Sequence, residues 1–280
     1  MTIFVFKIDK NKEVHPVYDY IAAKSFDDIS RKLPQGVYST FRTYDSSKKV
    51  IGLTSHLMRL YVPSKNTSMP PVVSELELRR ILRGLLIPFR PDDTKIRISL
   101  LPTGRFGEIY LMIEKFYPPE NSIYRNGVRT ITSKIGRDTP RIKTTSFIEK
   151  TSSERAKIAK NQIYEILMIK NDAILEGFTS NFFTVLHNKI ITANTSILLG
   201  VTRKIMIRLL RTLNYDIEFR PVKISELPDA SETFITSSSR GIVSVVAVDD
   251  QIIGDGIPGI IAGQLNSEYQ NYVMKHAKNI

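Results

Sequence analysis

The sequence predicts a mixed α/β chain of two domains, of the α+β kind rather than one parallel sheet. Three observations predict this. The chain has 280 residues, and a domain typically takes ~150. Strand-like and helix-like patterns alternate in both halves. Several strands are joined by short hairpin turns, which a purely parallel sheet lacks.

In order, Ile3 to Ile8 reads as a strand. Ser25 caps a helix that Pro34-Gln35-Gly36 ends. Val37 to Tyr44, rich in Thr, Tyr and Phe, reads as a strand. A turn at Ser46 to Lys49 leads through Val50-Ile51-Gly52-Leu53 to a short helix, Thr54 to Tyr61. Residues 63–73 read as a Pro- and Ser-rich loop. Ser74-Glu75-Leu76-Glu77 is a capping box, and Leu78, Ile81, Leu82 and Leu85 give the helical period behind it. Lys95 to Leu101 and Glu108 to Glu114 read as strands about a turn at Thr103 to Gly107. Tyr117-Pro118-Pro119-Glu120-Asn121 reads as a stiff linker. The expected domains are therefore residues 1–117 and 124–280, with 118–123 between them.

In the second half, Gly127 to Ser133 reads as a strand, and Thr151-Ser152-Ser153 caps a helix running toward Ile163. Tyr164 to Ile169 and Ile174 to Glu176 form a hairpin about Lys170 to Ala173. Phe182 to Leu186 and Lys189 to Thr192 form another about His187-Asn188. Gly200 to Arg203 opens a helix reaching Leu213. Thr233 to Thr236 and Ile242 to Val248 are strands, and Pro258 opens the last helix.

Composition excludes several classes. The chain is 42% hydrophobic and 24% charged, so it can build a core and is not disordered throughout. No apolar run approaches the ~18 residues of a membrane span. The apolar start of MTIFVFKIDKNK is short and lacks a basic lead, so no signal peptide is expected and the expected location is cytoplasmic. With no cysteine, disulfides, thiolate nucleophiles and Cys-type zinc sites are excluded. His15, His56, His187 and His276 are scattered, so no multi-histidine metal site is expected. The net charge is +12, yet no block of five like charges occurs. Such a surface suits acidic small molecules, and nucleic acid is not expected as a partner.

Three segments carry candidate chemistry. Glu176-Gly177-Phe178-Thr179-Ser180-Asn181 places a carboxylate between apolar Ile174-Leu175 and Phe182-Phe183. A buried carboxylate needs a partner; alone, it also reads as a cap for the following turn. Leu199-Gly200-Val201-Thr202-Arg203 precedes an amphipathic helix. A helix N-terminus suits phosphate, and an ordinary Thr-capped helix explains the segment equally. Thr236-Ser237-Ser238-Ser239-Arg240-Gly241 is a hydroxyl-rich turn, either a second anion cradle or a polar loop.

Together, in this order, the three segments resemble the fold-type IV pyridoxal-phosphate enzymes, or class IV aminotransferases. These include branched-chain aminotransferase, D-amino-acid aminotransferase and 4-amino-4-deoxychorismate lyase. The resemblance spans about residues 30 to 265. It implies a smaller N-terminal α/β domain, a larger C-terminal one with a barrel-like sheet, the cofactor pyridoxal 5'-phosphate in the cleft between them, and a homodimer.

The family's lysine lies about 30 to 35 residues before that glutamate and forms an imine with the cofactor aldehyde. Lys143 lies 33 residues before Glu176, against 42 for Lys134 and 26 for Lys150. It sits in Pro140 to Thr145 and closes a strand-like stretch. The resemblance makes Lys143 and Glu176 the catalytic pair, with Glu176 facing the pyridine nitrogen. It puts Val201, Thr202, Ser237 and Ser238 around the phosphate, and Ser180 and Asn181 among the cofactor-binding residues. Ser55 to Leu60 resembles the family's His-x-x-Arg-Leu segment, making Arg59 a phosphate ligand. Tyr38, Arg42 and Arg97 become substrate-side candidates, the arginines as carboxylate partners. Two departures stand out. Ser39-Thr40 replaces the Glu-Gly pair of branched-chain members, and Ile148 replaces their tyrosine five residues after the lysine.

The function implied is transfer of an amino group between an amino acid and a 2-oxo acid. The alternative is a lyase of the aminodeoxychorismate type. An alternative of another class is a non-catalytic basic binding protein.

Overall fold

In the computed structural model, residues 2–66, 70–103, 106–160 and 163–280 are described. The first elements are β1 (Phe4–Ile8), β2 (Val14–Pro16), α1 (Phe26–Lys32), β3 (Val37–Arg42), β4 (Lys49–Val50) and α2 (Leu53–Asn66). Then come α3 (Glu75–Leu85), β5 (Thr94–Thr103), β6 (Phe106–Lys115), α4 (Asn121–Asn126), β7 (Val128–Ser133), α5 (Ser146–Lys150) and α6 (Ser152–Lys160). Next are β8 (Glu165–Lys170), β9 (Ala173–Gly177), β10 (Asn181–Leu186), β11 (Lys189–Ile191), α7 (Val201–Thr212), β12 (Ile217–Glu218) and β13 (Val222–Lys223). The last are β14 (Glu232–Ser237), β15 (Gly241–Val248), β16 (Gln251–Ile252), α8 (Ile260–His276) and β17 (Lys278–Asn279).

Side-chain caps set the predicted helix starts. The Ser25 hydroxyl accepts the Asp28 N–H, and Ser74 with Glu77 completes a reciprocal capping box on α3. Elsewhere tertiary contact overrides local signals. The helix expected over Thr54 to Tyr61 continues through Pro63 to Asn66, so part of the expected loop 63–73 is helical. Leu57 and Leu60 are buried in the core, and this packing outweighs the one hydrogen bond a proline removes. Residues 67–69 of that loop lie outside the described residues, as do Gly104 and Arg105 of the expected β5–β6 turn. The helix expected to reach Ile163 is described to Lys160, and 161–162 lie outside the described residues. The strand expected to Tyr44 stops at Arg42. The expected linker 118–123 contains the start of α4.

The chain divides into two compact units. One comprises Met1–Tyr117, Ile142–Glu149 and His276–Ile280; the other comprises Pro118–Arg141 and Lys150–Lys275. Residues 142–149 and 276–280 thus fall in the first unit. Residues 142–149 lie along β3: Tyr38 N–H donates to Lys143 O (2.9 Å) and Thr145 N–H to Gly36 O (2.9 Å). The C-terminus pairs β17 with β4 and buries Ile280 in the same core.

The first unit is built on an antiparallel five-stranded sheet, order β2-β1-β6-β5-β3. Its main core packs Phe41, Leu57, Leu60, Leu78, Leu82, Ile96, Ile98, Leu111 and Ile113. In the second unit the strands follow the order β10-β14-β15-β7-β8-β9, and a pairing of β9 with β10 closes that path on itself. The closing pair is Asn181 opposite Glu176. A barrel-like sheet results, with Leu167, Phe182, Ile235, Val243 and Val245 in its core.

Thr145 clamps the segment carrying Lys143, since its hydroxyl accepts the Gly36 N–H at 2.8 Å. Thr145→Val keeps the shape and removes the acceptor. It is expected to destabilise the protein by about 1–3 kcal/mol, read as a lower urea midpoint at unchanged slope.

Candidate active site

The closing pair of the barrel holds the candidate carboxylate of the second unit. Glu176 is 1% exposed. Its Oε1 accepts from Arg137 Nε (3.0 Å) and from the Leu198 N–H (3.1 Å), and its Oε2 from Asn181 Nδ2 (2.8 Å). A lone buried carboxylate would be costly, and Arg137 supplies the opposite charge. Arg137 also donates to Phe178 O, fixing the loop between β9 and β10.

Asn181 donates in addition to Leu198 O at 2.8 Å. The two glycine-bearing segments are thus one structure. A Cβ on Gly200 would collide with Asn181 Oδ1, and one on Gly177 with Ser180 Oγ and Glu165. Only glycine allows these close approaches.

Gly200 caps α7 without a side-chain hydrogen bond, so the first-turn N–H groups have no partner within the helix. Thr202 Oγ1 lies 3.5 Å from Ser238 Oγ. Thr236 Oγ1 is buried without a hydrogen-bond partner. Arg203, the last residue of that segment, turns elsewhere: it donates to Ala193 O at 2.7 Å. Burial, with the charge of Arg141, lowers its pKa to about 10.

Not every expected cofactor contact is free for that task. Ser180 donates to Glu165, Asn181 donates to Glu176 and Leu198, and Ser237 accepts from Arg240 Nε at 2.9 Å. These three shape the loop and turn on which the uncapped N-terminus and the Thr202–Ser238 pair stand.

In the first unit, Lys143 is half-buried, in irregular backbone rather than at the end of a strand. Its Nζ lies 5.0 Å from the centroid of the buried Tyr38 ring. Arg97 lies against the same ring, 4.6 Å from its centroid. Arg97 is 8% exposed and is already engaged, by Asp27 at 2.7 Å, Ser30 at 2.9 Å and Thr40 at 3.1 Å. Arg42 stacks on Phe116 at 3.8 Å and reaches Asp93 at 3.5 Å. α1 and the β5 flank thus hold the two arginines. Ile148, where branched-chain members carry tyrosine, is fully buried in α5.

Ser39, at the other departure, bonds His56 Nδ1 at 2.9 Å, and both are buried. Burial, followed by the charges of Arg59 and Lys143, holds the His56 pKa well below its ordinary value. Arg59, on the same helix as His56, is half-buried.

The partnerships missed in the sequence are those of Glu176 with Arg137 and the Leu198 N–H, of Ser39 with His56, and of Glu165 with Arg240. Only the demand for a partner to Glu176 foreshadowed any of them.

The family pattern described as Amino-transferase class IV matches residues 36–248. A "Probable branched-chain-amino-acid aminotransferase" of Thermotoga maritima is 26% identical over 260 residues, covering 91% of this chain and 92% of the relative. The D-alanine aminotransferase of Bacillus licheniformis is 26% identical over 280 residues, covering 90% and 92%. The branched-chain amino acid aminotransferase of T.th., solved with pyridoxamine 5'-phosphate, shares the fold at a TM-score of 0.78 and 19% identity, covering 99% and 95%. The chain belongs to this family: it is a class IV aminotransferase, a pyridoxal-phosphate enzyme that moves amino groups. The relatives favour this over the lyase and over a non-catalytic binding protein. No helix among the described residues is long and apolar enough to cross a membrane.

His56 generates a pH dependence. Its pKa is held well below the ordinary value in the folded protein, whereas the unfolded chain takes up a proton below about pH 6.5. Its contribution is complete above that pH and declines below it, by up to about 1.4 kcal/mol per pH unit. Urea midpoints at pH 7.5 and 5.5 are expected to diverge in wild type and to converge in His56→Gln.

Proposed function

We propose that Lys143 and Glu176 are the catalytic residues of an aminotransferase acting on an amino acid and a 2-oxo acid. The observation that carries this is the closing pair of the barrel. It buries Glu176, pairs it with Arg137 and ties it through Asn181 to the uncapped N-terminus of α7.

The donor set fits the phosphate of the cofactor. The first-turn N–H groups at Val201 and Thr202, the Thr202 and Ser238 hydroxyls and the unpartnered Thr236 hydroxyl would hold it. Arg59 would add a positive charge. When bound, pyridoxal phosphate supplies an aldehyde to take the amino group and a ring to accept the electrons of the α-carbon.

The residues do the rest. The Lys143 amine would hold the aldehyde carbon, and once displaced by substrate it would carry the α-proton. Tyr38 flanks that amine, and its own ring is braced by Arg97. Glu176, held in place by three donors, would keep the pyridine nitrogen protonated by attraction of opposite charge. Donor and acceptor would use the same residues in turn, so ping-pong kinetics are expected. A cytoplasmic homodimer belongs to the same proposal and is supported by the family resemblance.

Lys143→Ala is expected to abolish transamination and the visible absorbance of the holoenzyme while leaving the melting temperature close to wild type. Retained activity would reject Lys143. In wild type, a pool of amino acids should bleach that absorbance and 2-oxo acids should restore it. Glu176→Gln should retain the absorbance and slow α-proton removal about 10²–10³-fold, read as loss of deuterium exchange at the α-carbon. An unchanged rate would remove Glu176 from the pyridine nitrogen.

A further inference from the structure

Glu165 is a fully buried carboxylate for which the proposed chemistry has no use. It opens β8. Its Oε1 accepts the Ile166 N–H at 3.0 Å. Its Oε2 accepts the Thr179 and Ser180 hydroxyls and Arg240 Nη2, the last at 3.1 Å. Burial pushes its pKa up, but Arg240 and these hydrogen bonds outweigh burial and hold it below the ordinary value.

Arg240 sits in the three-residue turn between β14 and β15. Besides Glu165, it donates from Nε to Ser237 Oγ at 2.9 Å and from Nη2 to Thr179 Oγ1 at 2.6 Å. Its guanidinium faces the Tyr164 ring at 5.3 Å, and its carbonyl accepts the Tyr124 hydroxyl at 2.7 Å. One side chain therefore joins the start of β8, the loop after Glu176 and the serine turn. That turn brings Ser238 beside Thr202. That loop leads into Asn181, whose amide holds Leu198 O ahead of α7. Both walls of the phosphate cradle hang on this ion pair.

We propose that Arg240, anchored by Glu165, is a positioning residue for the cofactor phosphate: it fixes the Ser237–Ser238 turn against the N-terminus of α7 and thereby sets affinity for the phosphate. The proposal rests on the phosphate cradle described above.

The test compares binding of pyridoxal phosphate with that of pyridoxal, which lacks the phosphate, in wild type and in variants stripped of cofactor. Wild type should prefer pyridoxal phosphate strongly. In Arg240→Gln that preference should fall about tenfold, the scale of one charged hydrogen bond, with little change in affinity for pyridoxal. The phosphorus NMR signal of the bound phosphate should shift as well. Arg240→Lys keeps the charge, and with it the fold if Arg240→Gln unfolds. It lacks the fork that bridges Ser237 and Thr179, so it should lose the preference too. Glu165→Gln should lose it in the same direction.

An unchanged preference in Arg240→Gln or in Glu165→Gln overturns the proposal. Full recovery in Arg240→Lys also overturns it, because charge alone would then suffice. A wild type with no preference for the phosphate would reject the cradle itself and the positioning role with it.

Discussion

The buried carboxylate of Glu176 at the seam of the barrel is the constraint around which the second unit is arranged. Six strands close into a ring only if β9 and β10 meet, and they meet at Glu176 and Asn181. A charge at that seam is tolerable only with its donors in place. Arg137 arrives from the segment after β7, Leu198 from the run before α7, and Asn181 from the opposite strand. Each donor is also a positional fix. Satisfying one carboxylate therefore places the N-terminus of α7 and the loop 178–180 at the same end of the barrel. The proposed function would use both: a negative charge for a ring nitrogen, and N–H groups for a phosphate.

The first unit follows a different logic. Its sheet is an ordinary antiparallel one, and the candidate groups gather where β3 accepts the 142–149 segment. The Tyr38 ring meets both Lys143 and Arg97, so one cation braces the ring while the other is the candidate amine. Arg97 owes this placement to Asp27 and Ser30 on α1. Ser39, which stands where branched-chain members carry a glutamate, spends its hydroxyl on His56. The two departures from the branched-chain pattern thus differ in side-chain chemistry as well as in sequence. A buried histidine–serine pair stands in place of a carboxylate, and a buried isoleucine in place of a tyrosine.

The legible parts of the sequence were those governed by neighbours in the chain. The Ser74–Glu77 box, the hairpin about His187-Asn188 and the helix after Gly200 depend on residues a few positions apart. The motif segments could be read because their glycines, hydroxyls and carboxylate stand within short stretches of the chain. Arg137 and Arg240 were not legible. They lie 39 and 75 residues from the carboxylates they bond, and nothing in local spacing marks an arginine as the partner of a distant glutamate. The helical Pro63 and the capture of 142–149 were hidden for the same reason: packing and long-range hydrogen bonds outweighed local propensity.

The sequence by itself determined the mixed α/β class, most helix starts and the family, because caps, periodicity and short motifs are local. Tertiary structure alone decided which groups are spent and which remain for chemistry. It assigned Arg97 to Asp27, Ser180 to Glu165 and Ser237 to Arg240, and left the first turn of α7 uncapped. The physical reason is that a buried polar group must find a partner, and its partner is fixed by where the chain returns rather than by what stands next to it.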